Sequence, residues 1–206
     1  MTLPVLVPIV EGQGEVAAVP LLLRRIAIGI GGVSSLEVRR PIRVSRSKIL
    51  KAGELERYVE LAARSAGPAG AVLVLLDADD DCPAELGALL LARASEVRVG
   101  LTPSVVLAKH EFESWFLAAA VSLRGQRGLE ADLEAPGAPE TISDAKGWLQ
   151  RHRTDGFAYS PTTDQPALAA VMDLQLARAG APSFDKLWRD LERLLGAAPS
   201  GFAGGA

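Results

Sequence analysis

The stretch that most narrows what this chain can fold into is Ala71–Asp81, AVLVLLDADDD. Its apolar half has no polar residue to turn toward water. It therefore predicts a strand buried on both faces, of the kind that sits inside a parallel sheet covered by helices. The acidic half sets Asp77, Asp79, Asp80 and Asp81 within five residues. Open α/β sheets place their ligands at the C-terminal ends of such strands. Like charges this close repel unless a cation or water relieves them, so the pattern predicts a metal site.

The rest of the chain supplies neighbours for that strand. Val5–Val10 is a short apolar run that breaks at Glu11-Gly12-Gln13-Gly14-Glu15. A helix is predicted from about Glu15 to Ile30, with Pro20 near its first turns or at a kink, and Gly29, Gly31 and Gly32 at its end. Leu36–Val44 reads as a second strand. Glu54–Ala66 is amphipathic, with Leu55, Tyr58, Val59, Ala62 and Ala63 on one face. Pro83 stands at the favoured first position of a helix running to about Val97. Ser104–Ala108 reads as a further strand, followed by a helix over Ser114–Ser122. Three helical patterns come last, at Asp144–His152, Gln165–Ala177 and Phe184–Leu195.

Alternating strands and helices predict a Rossmann-like α/β fold, a mainly parallel sheet with helices on both faces and a helical C-terminal extension. The expected organisation is an α/β core over residues 1–122 and a Gly/Pro/Glu-rich mobile loop over 123–142. A helical extension over 143–206 packs on that core and frays from Gly196 onward.

Composition closes off other classes. The content of 49% hydrophobic and 23% charged residues excludes a disordered chain. A net charge of −3 means that any polyanion surface must be a local patch. One cysteine, Cys82, excludes an intramolecular disulfide and fits the reducing cytoplasm. No apolar run reaches the roughly 20 residues of a membrane span. The opening MTLPVLVPIVEG has no basic n-region and no small-residue cleavage site, so no signal peptide is expected.

In a parallel sheet the strand ends at Glu11, at Asp77/Asp79 and at Glu111/Glu113 share one edge. Carboxylates converging there predict Mg²⁺ or Mn²⁺, ions that take oxygen ligands and clamp a phosphodiester during displacement. Asp77 and Asp79 are the expected ligands, while Asp80 and Asp81 suit capping or solvation. Glu15, one turn from Glu11, either points into the site or favours the helix N-terminus. Glu111 and Glu113 both serve if their segment is extended; Glu113 is preferred if the helix has begun. His110 is a general base, a phosphate contact or a hydrogen-bonding residue of the fold.

Gly12-x-Gly14-x-x-Ala17 also matches a dinucleotide fingerprint. Glu11 and Glu15 beside the glycines would repel a pyrophosphate, so that match is poor. Arg39, Arg40, Arg43, Arg46, Lys48 and Lys51 form the one basic run suited to a nucleic-acid backbone, or else a charge-protected edge strand. Lys146, Arg151, His152 and Arg153 form a smaller cluster with the same two readings.

A strand, Glu11-Gly12 and a helix, followed by an apolar strand ending in Asp77-x-Asp79, resemble the Toprim catalytic domain of primases, topoisomerases and OLD-family nucleases. EGQGE (11–15), LLDADDD (75–81), HEFESW (110–115) and DQPALAAVMDLQLARAGAPSFDKL (164–187) together resemble DUF4276, a family of small bacterial Toprim-like proteins. The resemblance implies a Toprim-like fold, Glu11 in acid/base or metal chemistry, and Asp77 and Asp79 on Mg²⁺. Joined to the acidic edge, it leads to a metal-dependent nuclease, in phage or plasmid defence, acting on DNA or RNA. In that reading Glu11, Glu15, Asp77, Asp79 and Glu111 hold metal, and Glu11 and Glu113 are catalytic. The competing expectation is a non-catalytic Toprim-like scaffold in a multi-protein, ATPase-associated system, with the C-terminal helices as its interface.

Overall fold

A computed structural model describes residues 5–30 and 36–196. The expected helix stop at Gly31 and Gly32 and the expected fraying beyond residue 196 lie outside the described residues.

Strand β1 (Val5–Val10) is flanked on one side by β2 (Glu37–Val38) and β3 (Ile42–Arg43), and on the other by β4 (Ala71–Asp77) and then β5 (Pro103–Ala108). Every strand pairing is parallel. The strand expected over Leu36–Val44 is thus two short pieces laid end to end along β1: Val5 and Leu6 face Glu37 and Val38, and Ile9 and Val10 face Ile42 and Arg43. Pro41 lies between the pieces, and a residue without an N–H cannot continue the ladder.

Period-two alternation then sorts the central strands onto two cores. Leu6, Val10, Leu73, Leu75 and Val106 enter the larger core, while Val7, Ile9, Val72, Val74, Leu76, Val105 and Leu107 enter the smaller one. Each such Val, Ile or Leu contributes about 1.5–3 kcal/mol by leaving water. Helices α2 (Arg46–Ile49), α3 (Glu54–Ala66) and α4 (Pro83–Ser95) add buried side chains to the smaller core.

The larger core is built by α1 (Glu15–Ile30), α5 (Ser114–Ala118), α6 (Ala145–Arg151), α7 (Pro161–Val171), α8 (Leu174–Gly180) and α9 (Pro182–Leu194). Helix α1 runs unbroken through Pro20. The helix expected over Gln165–Ala177 is divided between α7 and α8, because the Asp173 carboxylate accepts the N–H groups of Gln175 and Leu176 and starts a new helix. Arg25 of α1 donates to the carbonyls of Ala169 at 2.7 Å and Met172 at 2.9 Å, satisfying the C-terminal end of α7.

Leu168, Met172, Phe184, Leu187, Trp188 and Leu191 are buried while Val171 is exposed; α9 packs on β5, α7 on α1, and α8 on α5 and α9. Segment 123–142 contains short 3₁₀ turns and sends Leu129 and Leu133 into the same core. Arg127 of that segment pairs with buried Asp164 at 2.8 Å. Among the described residues, no helix is long and apolar enough to cross a membrane.

Candidate active site at the carboxyl edge of the sheet

Glu11 follows β1 directly. Four residues on, the Glu15 carboxylate reaches back and accepts the N–H groups of Glu11 at 3.2 Å and Gly12 at 3.1 Å. This leaves Glu15 only 3% exposed. A Cβ at position 12 would lie 2.5 Å from Glu15 Oε1, so glycine is what lets the carboxylate fold back. A Cβ at position 14 would lie 2.2 Å from both Gln165 Oε1 and the Pro161 carbonyl. The two glycines therefore admit a carboxylate and the first turn of α7, which accounts for the spacing without a pyrophosphate.

Asp77 closes β4, and its Oδ1 accepts the Phe112 N–H at 2.7 Å. Glu113, at the start of α5, is fully buried. Its Oε1 accepts the Tyr159 hydroxyl at 3.0 Å and the Gln165 side-chain amide at 2.9 Å. Between these acids stands the Lys146 ammonium, 2.8 Å from Glu111 Oε1, 3.3 Å from Glu113 Oε2 and 3.9 Å from Asp77 Oδ2. The Lys146 backbone N–H also donates to Glu111 Oε2 at 3.0 Å. Glu111 and Glu113 thus both reach the site, although the chain has already turned toward α5.

Charge is poorly balanced here. Burial pushes the Asp77 carboxyl well above its ordinary range, and the Glu15 and Glu113 charges add to it; Lys146 and the Phe112 N–H offset part of this. Glu15 is pushed up to about 7 by burial and by Glu113 and Glu11, against the N–H groups that it accepts. Glu11 is also raised, chiefly by burial and then by Asp79. Burial opposes the Lys146 charge, yet the surrounding carboxylates hold its pKa above the ordinary lysine value. The Tyr159 hydroxyl is held protonated by burial and by Glu113.

Asp79 does not join Asp77. With φ of +48° it turns the chain, exchanging contacts with His110, itself at φ +59°. The Asp79 N–H donates to the His110 carbonyl at 3.0 Å, and His110 Nδ1 lies 2.9 Å from the Asp79 carbonyl. His110 is thereby engaged in holding the backbone. The Asp79 side chain, 60% exposed, lies 3.3 Å from Arg46, which also binds Asp81. The expectation that both residues of the Asp-x-Asp pair turn to one side is replaced by an inner Asp77 and an outer Asp79. Glu11 feels the Asp79 charge as well as those of Arg46 and Lys146.

The basic run flanks the same edge, because Arg43 is paired with Val10, next to Glu11. Arg39 is bound to Glu37, Lys48 to Glu54, and Arg46 to Asp79 and Asp81. Among the described residues, no ion pair reaches Arg40, Arg43 or Lys51.

Among the described residues, no group of three His, Cys, Asp or Glu side chains stands ready to hold a metal ion. The donor set nevertheless suits a hard divalent cation, since it consists of carboxylate oxygens. Glu11 Oε2 and Glu113 Oε2 are buried without a hydrogen-bond partner, which is costly for an acceptor; Glu113 Oε2 has the Lys146 ammonium at 3.3 Å in partial compensation. Lys146 reads from sequence as part of a surface cluster, and nothing in the spacing singles out Tyr159. Gln165 falls within the DQPALAAV segment, and that segment was the only signal pointing to it.

A family model described as a domain of unknown function (DUF4276) matches residues 10–192. No curated protein and no solved structure matches.

Proposed function

We propose that this chain, which belongs to the DUF4276 family, carries out Mg²⁺- or Mn²⁺-dependent phosphodiester chemistry on nucleic acid, as a Toprim-type nuclease. The carrying observation is the convergence of Glu11, Glu15, Asp77, Glu111 and Glu113 at one sheet edge, with one buried oxygen each of Glu11 and Glu113 (Oε2) lacking a hydrogen bond. Asp77, Glu113 and the buried Glu15 are on the inner side, with Glu11 and Asp79 toward the outside. When bound, the ion supplies a Lewis acid for a phosphate oxygen and a more acidic water. Glu11, whose carboxyl is held above its ordinary range by burial, is the candidate general base. Tyr159 and Gln165 fix the Glu113 carboxylate. Arg40, Arg43 and Lys51 give the edge a cationic rim for a phosphate backbone, which otherwise meets repelling acids.

The test incubates purified protein with single- and double-stranded DNA and RNA, with Mg²⁺ or Mn²⁺, beside Glu11→Ala and Asp77→Ala. Cleavage by the wild type that is lost in both variants is the expected result. Equal cleavage by all three proteins would mark a contaminant and end the proposal.

One observation favours a second reading. An ammonium already seated among Asp77, Glu111 and Glu113 suits a non-catalytic Toprim-like component of an ATPase-associated assembly. That reading expects no cleavage by the purified chain in any of these mixtures, and no loss of partner binding in Asp77→Ala.

A further inference from the structure

Resting on the metal reading above, the geometry points to Lys146 as the site's resident counter-ion, an ammonium that a divalent cation must displace to enter. Its Nζ touches Glu111 and stands within 3.9 Å of Asp77 and 3.3 Å of Glu113. Those three carboxylates come from β4 and from the turn that leads out of β5 into α5. The lysine comes from α6, in the C-terminal layer. One ammonium neutralises a single charge among three, whereas a divalent cation neutralises two, so exchange relieves the repulsion that remains.

The layout makes the exchange feasible without unfolding. Glu113 is fully buried, and its Oε2 faces the ammonium without hydrogen-bonding it. Lys146 has 36% of its side chain exposed and a flexible stem by which to withdraw. Both Glu111 oxygens are engaged by Lys146, one by the backbone N–H and one by Nζ. The N–H contact tethers Glu111 to α6 whichever way the side chain points. Asp77 and Glu113 are therefore the carboxylates that gain most from exchange. This also explains how a site rich in carboxylates contains no ready-made metal group among the described residues.

The experiment titrates Mn²⁺ into the full chain by calorimetry, with thermal unfolding followed in parallel, for wild type, Lys146→Met, Lys146→Arg and Asp77→Asn. Lys146→Met is expected to bind Mn²⁺ at least about tenfold more tightly than wild type, because a charge competitor in a partly buried site has gone. Without metal the same variant should melt lower than wild type, and it should gain more from saturating Mn²⁺. Lys146→Arg keeps the competitor and is expected to bind no more tightly than wild type. Should Lys146→Met not fold, an arginine variant that binds more tightly than wild type overturns the exchange. Equal affinity in wild type and Lys146→Met, abolished by Asp77→Asn, overturns the exchange and leaves the metal site standing. An absence of Mn²⁺ binding in both wild type and Lys146→Met removes the metal reading itself.

Discussion

At the inner half of the carboxylate edge, the largely buried carboxylates of Asp77 and Glu113 share an ammonium. At the outer half, the exposed carboxylates of Asp79 and Asp81 share a guanidinium. The pairings look alike on paper, but their surroundings differ. Solvent screens the outer carboxylates, so either of them can lose its partner cheaply. Inside, a carboxylate without a partner must take up a proton, bind another cation or cost several kcal/mol. The raised pKa values of Asp77 and Glu15 record that pressure. The proposed ligand chemistry is assigned to the half whose charges are hardest to satisfy from within the chain.

The largest effect that breaks this contrast is Glu113→Ala. It leaves the Tyr159 hydroxyl and the Gln165 amide without their acceptor and takes one of three carboxylates from Lys146. It should cost about 3–5 kcal/mol in denaturant unfolding, as removal of one partner from a buried charge network does. A loss near zero would mean that the inner half is wetter than its burial implies.

Next comes pH. Because the folded chain holds the Glu15 proton up to about 7, against an ordinary value of 4.5, it binds more protons than the unfolded chain between those values. Stability from this group is thus fully present below pH 4.5 and declines as pH rises toward 7, by an amount on the order of 3 kcal/mol. Asp77 acts in the same direction. Glu15→Gln should flatten that part of the profile, measured by urea unfolding across the range; an unchanged slope would assign it elsewhere.

Gly14→Ala sharpens the comparison from the backbone side. The new Cβ meets the Pro161 carbonyl, which cannot rotate away, so α7 must shift at a cost of about 1–3 kcal/mol. Because α7 carries Gln165, the variant should lose metal response along with stability. The smallest effect is expected of Asp81→Ala, within about 0.5 kcal/mol by the same unfolding assay, since Arg46 keeps Asp79 and water takes the place of the exposed carboxylate.

The alternation of buried strands and helices was legible because Ala71–Leu76 has no polar side and Glu54–Ala66 has a clear apolar stripe. The strand break at Pro41 was also written in the sequence, though the reading ran a single strand through it. The division at Asp173 was harder to see: an acid inside a helical pattern reads as surface until its carboxylate is found capping the next helix.

At the candidate site, Glu11, Asp77, Glu111 and Glu113 could be named from strand ends alone. The turn at Asp79 could not, because a left-handed aspartate held by His110 leaves no mark on strand periodicity. Lys146, Tyr159 and Gln165 arrive from the C-terminal layer, and sequence order says nothing about which residue of a docked helix meets which acid. Composition even pointed the other way for Lys146, toward a solvated basic cluster.

The most direct measurement of the central claim is an anomalous difference map from crystals grown with Mn²⁺, collected near the manganese edge. A peak bounded by Asp77 and Glu113, with the Lys146 ammonium withdrawn, is the predicted result. A map with no peak at this edge, and the ammonium still against Glu111 at saturating Mn²⁺, would contradict it.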